Sequence, residues 1–235
     1  MKTIAIIDCS VDQPSLACYN RLLQLGVPVS YHSANKFGMS TLENLDHFYG
    51  AFIFGSASNV EDNEPWHKTL GDWALKALNQ NFPIMGICFG HQLMCHLLGG
   101  EVIKNLEVNP DQKGTRELIF DQDFGDIENG EALEFVVYHT YRVINLPNTF
   151  TQVAHSDLFP NDIVRHKELP FVGIQPHPEA SDWFISDDIA ESPELYTKAP
   201  KTKIDGIRFI LNFIKEYCIK DFQSEISGQP SQFLQ

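Results

Sequence analysis

The sequence predicts an α/β fold: a three-layer sandwich whose central sheet is mainly parallel, with helices on both faces and a short antiparallel portion. Three observations carry this reading. Short continuous apolar runs ("TIAIID", "FYGAFIF", "FPIMGI", "PFVGIQP") have the pattern of strands buried on both faces. Stretches with helical apolar spacing alternate with the first of them, as a parallel sheet with crossover helices requires. After residue 115 the strand-like runs come closer together, which points to antiparallel neighbours.

Taken in order, "TIAIID" is the first strand. "SLACYNRLLQLG" follows as a helix with Leu16, Tyr19, Leu22 and Leu23 at helical spacing and Gly26 as its stop. "VPVSYHS" and "FYGAFIFGS" are the second and third strands. "WHKTLGDWALKALNQ" is a helix, "FPIMGI" the fourth strand, and "HQLMCHLLGG" a helix closed by paired glycines. "RELIF", "LEFVVYHTYRVINLP", "TFTQVAHS" and "DIVRHK" supply the antiparallel portion, and "PFVGIQP" returns a buried strand. From Asp182 to Lys203 the chain is polar and acidic, with Pro193 and Pro200, and reads as an excursion over the surface. Helical spacing resumes in "KIDGIRFILNFIKEYC". Residues 1–220 are expected to form one domain and residues 221–235 a loose tail.

The 235 residues, 43% hydrophobic and 20% charged, are enough for a substantial core. A formal charge of -14 argues against a nucleic-acid or anionic-membrane surface, since either needs clustered Lys and Arg. The five cysteines are scattered without CxxC spacing, so neither a disulfide framework nor a zinc site is expected, and a reducing, cytoplasmic setting is. No GxxxxGK or GxGxxG motif suggests a nucleotide, and no cofactor or metal is expected.

Chemistry concentrates at two strand ends. In Gly86-Ile87-Cys88-Phe89-Gly90 a strand passes into a helix through a cysteine flanked by glycines, the arrangement of a nucleophile elbow. Glycine relieves the crowding of the tight turn, and the helix N-terminus beneath the sulfur favours a thiolate. The N–H of Phe89 is a candidate oxyanion donor. Cys95, inside the following helix, is expected to be a packing residue. The second strand end is "FVGIQPHPEAS", where His177 follows a buried strand and Glu179 lies two residues on. A thiol nucleophile needs such a base, and the base needs a group to orient it. Among the other histidines, His91, His96, His139, His155 and His166 lack an adjacent carboxylate of this kind.

"GICFGHQ" together with a downstream "GIQPHPE" resembles the class I glutamine amidotransferase family over most of the chain. The resemblance implies a flavodoxin-like fold. It makes Cys88 the nucleophile toward the glutamine side-chain amide, His177 the base and acid, and Glu179 the orienting carboxylate. Gly55 corresponds to the family's oxyanion loop, although Gly-Ser-Ala-Ser stands where many members have Gly-Gly-Pro. Gln92 corresponds to the family glutamine that contacts substrate, and His139 and Tyr141 in "YHTYRV" to the segment that borders the glutamine pocket. Pro176 replaces the aromatic residue usual before His-Pro-Glu.

The resemblance thus implies an enzyme that hydrolyses glutamine through a γ-glutamyl thioester to glutamate and ammonia. The candidate partner is a separate, ammonia-accepting synthase subunit. Two alternatives share the fold: a hydrolase of γ-glutamyl amides or peptides, and a non-catalytic binding or regulatory subunit. The 182–203 segment is a candidate lid, substrate-selecting wall or docking surface.

Overall fold

A computed structural model describes residues 1–105, 112–188 and 193–222. Most of the expected tail, residues 223–235, lies outside the described residues. In chain order the elements are β1 (Thr3–Asp8), α1 (Leu16–Gln24), β2 (Val29–Ser33), α2 (Ala34–Phe37), β3 (Phe48–Ile53), α3 (Pro65–Leu78), β4 (Ile84–Ile87), α4 (Phe89–Leu97), β5 (Glu101–Lys104) and β6 (Gln112–Phe120). They continue with β7 (Ala132–His139), β8 (Tyr141–Ile144), β9 (Phe150–His155), β10 (Ile163–His166), β11 (Phe171–Ile174), α5 (Asp182–Asp188) and α6 (Pro193–Phe213).

Nine strands form one sheet in the order β2-β1-β3-β4-β11-β10-β9-β6-β7. The stretch from β2 to β11 is parallel, and from β11 onward every pairing is antiparallel. The parallel strands are apolar at nearly every position because both faces are covered. Ile4, Ile6 and Phe52 face α1 and α6, where they meet Leu22, Phe209 and Phe213. Ala5, Ile7 and Ile53 face α3 and α4, where they meet Leu70, Ala74, Leu93 and Met94. The period-2 alternation of a strand therefore splits each apolar run between two cores.

Three features differ from the expectations. The strand-like run around "YHTYRV" breaks at Thr140, and β8 leaves the main sheet to pair with the unanticipated β5. Most of the described part of 182–203 is helical rather than an irregular excursion: α5 covers its start and α6 begins at Pro193. Pro193 suits a first helical position, where its missing N–H has no partner to lose. Pro200 lies inside α6 at the cost of a helical hydrogen bond. That cost is offset by the burial of Ile207, Phe209, Ile210 and Phe213 against the sheet.

The crossing of β4 into α4 leaves no room for side chains on either side of Cys88. A Cβ at Gly86 would lie 2.6 Å from Gly90 O, and one at Gly90 would run into Ile53 O. In both cases the obstacle is backbone, which cannot rotate away. Gly90→Ala is therefore expected to lower stability by about 1–3 kcal/mol, read as a lower urea midpoint; an unchanged midpoint would contradict this packing.

Candidate active site

Cys88, His177 and Glu179 come together at the carboxyl edge of the parallel strands. Cys88 caps α4 with φ 49° and ψ -101°, a conformation that costs an L-residue on the order of 1–3 kcal/mol. It is held there by the fold: the Cys88 N–H donates to Ile174 O at 2.9 Å, continuing the β4–β11 ladder by one bond. The turn exposes the sulfur to a cavity of about 520 Å³ while leaving the residue only 6% exposed. As the first residue of α4, Phe89 has no carbonyl one turn back within the helix for its N–H.

His177 follows β11, and its N–H donates to Val136 O on β7 at 2.8 Å. The ring Nδ1 meets Glu179 Oε1 at 2.9 Å, both side chains being buried. The Cys88 thiol donates to Tyr138 O at 3.7 Å, and Cys88 and the His177 ring both lie against Gly55. Burial alone would lower the His177 pKa. The Glu179 and Cys88 charges and the hydrogen bonds to both outweigh it, and the pKa stands well above 6.5. A carboxylate on Nδ1 fixes the tautomer and orientation of the ring.

Gly55 lies directly over this pair. A Cβ there would be 2.9 Å from His177 Cε1 and 3.5 Å from Cys88 Cβ, so the position needs glycine. The loop after it is clamped from two sides. Ser58 Oγ lies 3.0 Å from His67 Nε2 and 3.2 Å from Asp62 Oδ2, and Asp62 also accepts from the Asn59 N–H at 2.7 Å. The Tyr141 hydroxyl donates to Glu61 at 3.3 Å. The His67 ring in turn packs on the Phe89 ring with centroids 4.9 Å apart, which ties this loop to the start of α4.

Of the other residues singled out in the sequence, Gly55, Gln92, His139 and Tyr141 line the cavity and Phe89 does not; the side chains of Gln92, His139 and Tyr141 are committed to protein partners. Gln92 Nε2 donates to Tyr141 O and to Gln175 Oε1, both at 3.0 Å, which uses both amide hydrogens. His139 donates from Nδ1 to Tyr141 O at 2.8 Å and accepts at Nε2 from Arg116, 3.0 Å away. Burial, reinforced by the Arg116 charge, lowers its pKa to about 3, so it is a neutral strut. Arg116 is itself paired with Asp162 at 2.7 Å and lies over the Phe159 ring. Cys95 is buried in the apolar cluster under α4, as expected of a packing residue. Among the described residues no group of three or more His, Cys, Asp or Glu is placed to hold a metal, and no helix is long and apolar enough to cross a membrane.

Sequence reasoning missed the Ser58–His67–Asp62 clamp and the wall formed by residues 10–15. In that wall the buried Asp8 carboxylate accepts from the N–H groups of Ser10 and Ser15, both at 2.9 Å, and from the Tyr31 hydroxyl. Asn59-x-x-Asp62 is a capping-box pattern legible in the sequence, whereas the Tyr31 contact has no local signal.

The sequence model of the family described as glutamine amidotransferase class-I matches residues 5–183, from β1 through the His-Pro-Glu segment and into α5. The chain belongs to this family. Among curated relatives, a glutamine-hydrolyzing GMP synthase subunit of Pyrococcus furiosus is 37% identical over 133 residues, 55% of this chain and 65% of that protein. The corresponding protein of Methanococcus maripaludis is 33% identical over 118 residues, 49% of this chain and 60% of that protein. The chain thus spans less than two thirds of the length of these relatives. A glutamine amidotransferase from Thermotoga maritima superposes with TM-score 0.73 at 16% identity, over 92% of this chain and 99% of that one. One from Methylobacillus flagellatus superposes with TM-score 0.70 at 17% identity, over 96% and 97%. At these identities the structural likeness is one of fold, and it is the amidotransferase fold.

The electrostatics of this site can be measured directly. In the wild type the His177 Cε1 proton is expected to titrate above the ordinary imidazole value of 6.5, and both Glu179→Gln and Cys88→Ala should move its midpoint down. The check is an NMR pH titration; a midpoint unmoved in both variants would contradict the coupling.

Proposed function

We propose that the protein hydrolyses the side-chain amide of glutamine to glutamate and ammonia through a γ-glutamyl thioester on Cys88. What carries the reading is a single arrangement: a buried imidazole with a carboxylate at 2.9 Å on Nδ1, brought together with the elbow cysteine around Gly55. It has the form of a nucleophile, a base and an orienting group.

The thiol proton passes to His177, and the thiolate attacks the amide carbon. Charge develops on the former carbonyl oxygen, and in this reading the N–H groups of Phe89, at the start of α4, and of Gly55 are its donors. As the tetrahedral intermediate collapses, His177 gives its proton to the departing nitrogen and ammonia leaves. A water then attacks the thioester, His177 accepts its proton, and the second collapse returns the proton to sulfur as glutamate departs. Glu179 holds the Nδ1 side of the ring and stabilises the imidazolium at each stage. The strained backbone at Cys88 keeps the sulfur presented, so little reorganisation is left for the reaction.

The GMP synthase relatives support a further element of this reading, that the ammonia is used by a separate synthase subunit. Their names specify glutamine hydrolysis within a GMP synthase, and a partner of that class is the candidate acceptor.

Brief exposure to a glutamine-analogue electrophile, followed by intact-protein and peptide mass spectrometry, tests the site. One label is expected, on Cys88 at the elbow; none is expected in Cys88→Ala, nor on Cys9, Cys18, Cys95 or Cys218, whose thiols burial holds well above their ordinary value. Glutamine turnover should fall by roughly 10²–10⁴-fold in Glu179→Gln. A folded wild type that takes no label would overturn the proposal.

A further inference from the structure

The cavity above Cys88 is larger and more apolar on one side than glutamine requires. Its volume of about 520 Å³ lies within the range that encloses drug-sized ligands, and an amino acid fills only part of it. One side is made by α5, which begins three residues after Glu179. Phe184 places its ring 4.8 Å from the His177 ring, centroid to centroid. Trp183 lines the same cavity and is 44% exposed, and Val11, another lining residue, is 40% exposed. Trp183, Phe184 and Val11 thus give this side of the cavity an apolar wall, with the Trp183 ring open to whatever enters it.

The position of α5 is fixed rather than loose. The Phe184 N–H donates to Ser181 Oγ at 3.2 Å and the Ile185 N–H to Ser181 O at 3.0 Å. Ile185 is buried against Val136 and Ala180, and Lys203 pairs with Asp182 at 2.5 Å. Arg21 donates to Ala180 O, which ties the start of the segment to α1. The aromatic pair therefore keeps a set relation to the triad.

Mechanism decides which part of a substrate meets this wall. His177 must protonate the departing nitrogen and so lies within hydrogen-bond reach of it. Any substituent on that nitrogen projects from beside His177, where Phe184 packs and Trp183 adjoins it. Glutamine releases ammonia and puts nothing there. We propose that Trp183 and Phe184 form a leaving-group subsite for γ-glutamyl amides whose nitrogen carries an apolar aromatic substituent. The proposal rests on the Cys88 thioester chemistry above and extends it to a substrate class. The balance is unchanged: the γ-carbon–nitrogen bond breaks as the sulfur–carbon bond forms, the His177 proton leaves on the amine, and water releases glutamate from the thioester.

The test compares γ-glutamylbenzylamide with γ-glutamylmethylamide, both of which release an alkylamine and differ in the ring. Glutamate release is followed for the wild type and Trp183→Ala. In the wild type kcat/KM should favour the benzylamide by roughly tenfold, and Trp183→Ala should erase most of that preference. Equal or poorer use of the benzylamide by a wild type that turns over glutamine or the methylamide would overturn the subsite and leave the thioester chemistry standing. So would a preference unchanged in Trp183→Ala, the result for a tryptophan kept for a protein partner. If no substrate is turned over and Cys88 takes no electrophile, the underlying chemistry fails and the subsite with it.

Discussion

The parallel pairing of β4 with β11 is the constraint on which the site depends. Ile87 lies opposite Ile174, and one further bond, from the Cys88 N–H to Ile174 O, carries the pairing into the elbow. The same register brings the two strand ends to one edge, so that His177 arrives beside Cys88 instead of across the sheet. A slip of one residue would turn Cys88 toward the opposite core and bury its sulfur among side chains. The apolar character of both strands fixes the register, since each is covered on both faces by helices.

Around that pairing the remaining parts act as supports. β3 delivers Gly55 from one side, close enough that only glycine fits, and the clamp through Ser58, His67 and Asp62 holds the adjoining loop. β7 reaches across from the antiparallel half and accepts the His177 N–H at Val136. The antiparallel strands are thus more than an extension of the sheet: through Tyr138 and His139 they close the far side of the cavity. The strain at Cys88 is tolerated because contacts from three strands and a helix determine the turn.

The strands at the heart of the sheet were legible because a strand buried on both faces writes an uninterrupted apolar run. The elbow was legible because its glycines are demanded by backbone contacts at Gly86 and Gly90. His177 and Glu179 were legible as a pair because they lie two residues apart in extended chain. What escaped the sequence depends on distant contacts. α5 and the start of α6 read as a polar surface excursion, and their helicity reflects burial of Ile185 and of the apolar side of α6. The commitment of Gln92 to Tyr141 and Gln175 was equally hidden, because its partners lie 49 and 83 residues away. For that reason the resemblance that set Gln92 against the substrate located the wall of the cavity, and the geometry gives the side chain the role of bracing it.

Whether Cys88 bonds covalently to the γ-carbonyl of glutamine can be read by mixing the protein with glutamine, quenching in acid within the first turnovers, and mapping peptide masses. One γ-glutamyl adduct is expected on the peptide containing Cys88, stabilised by quenching before water attacks and absent after alkaline treatment. Glutamate production with no adduct on Cys88, or an adduct on another cysteine, would contradict it.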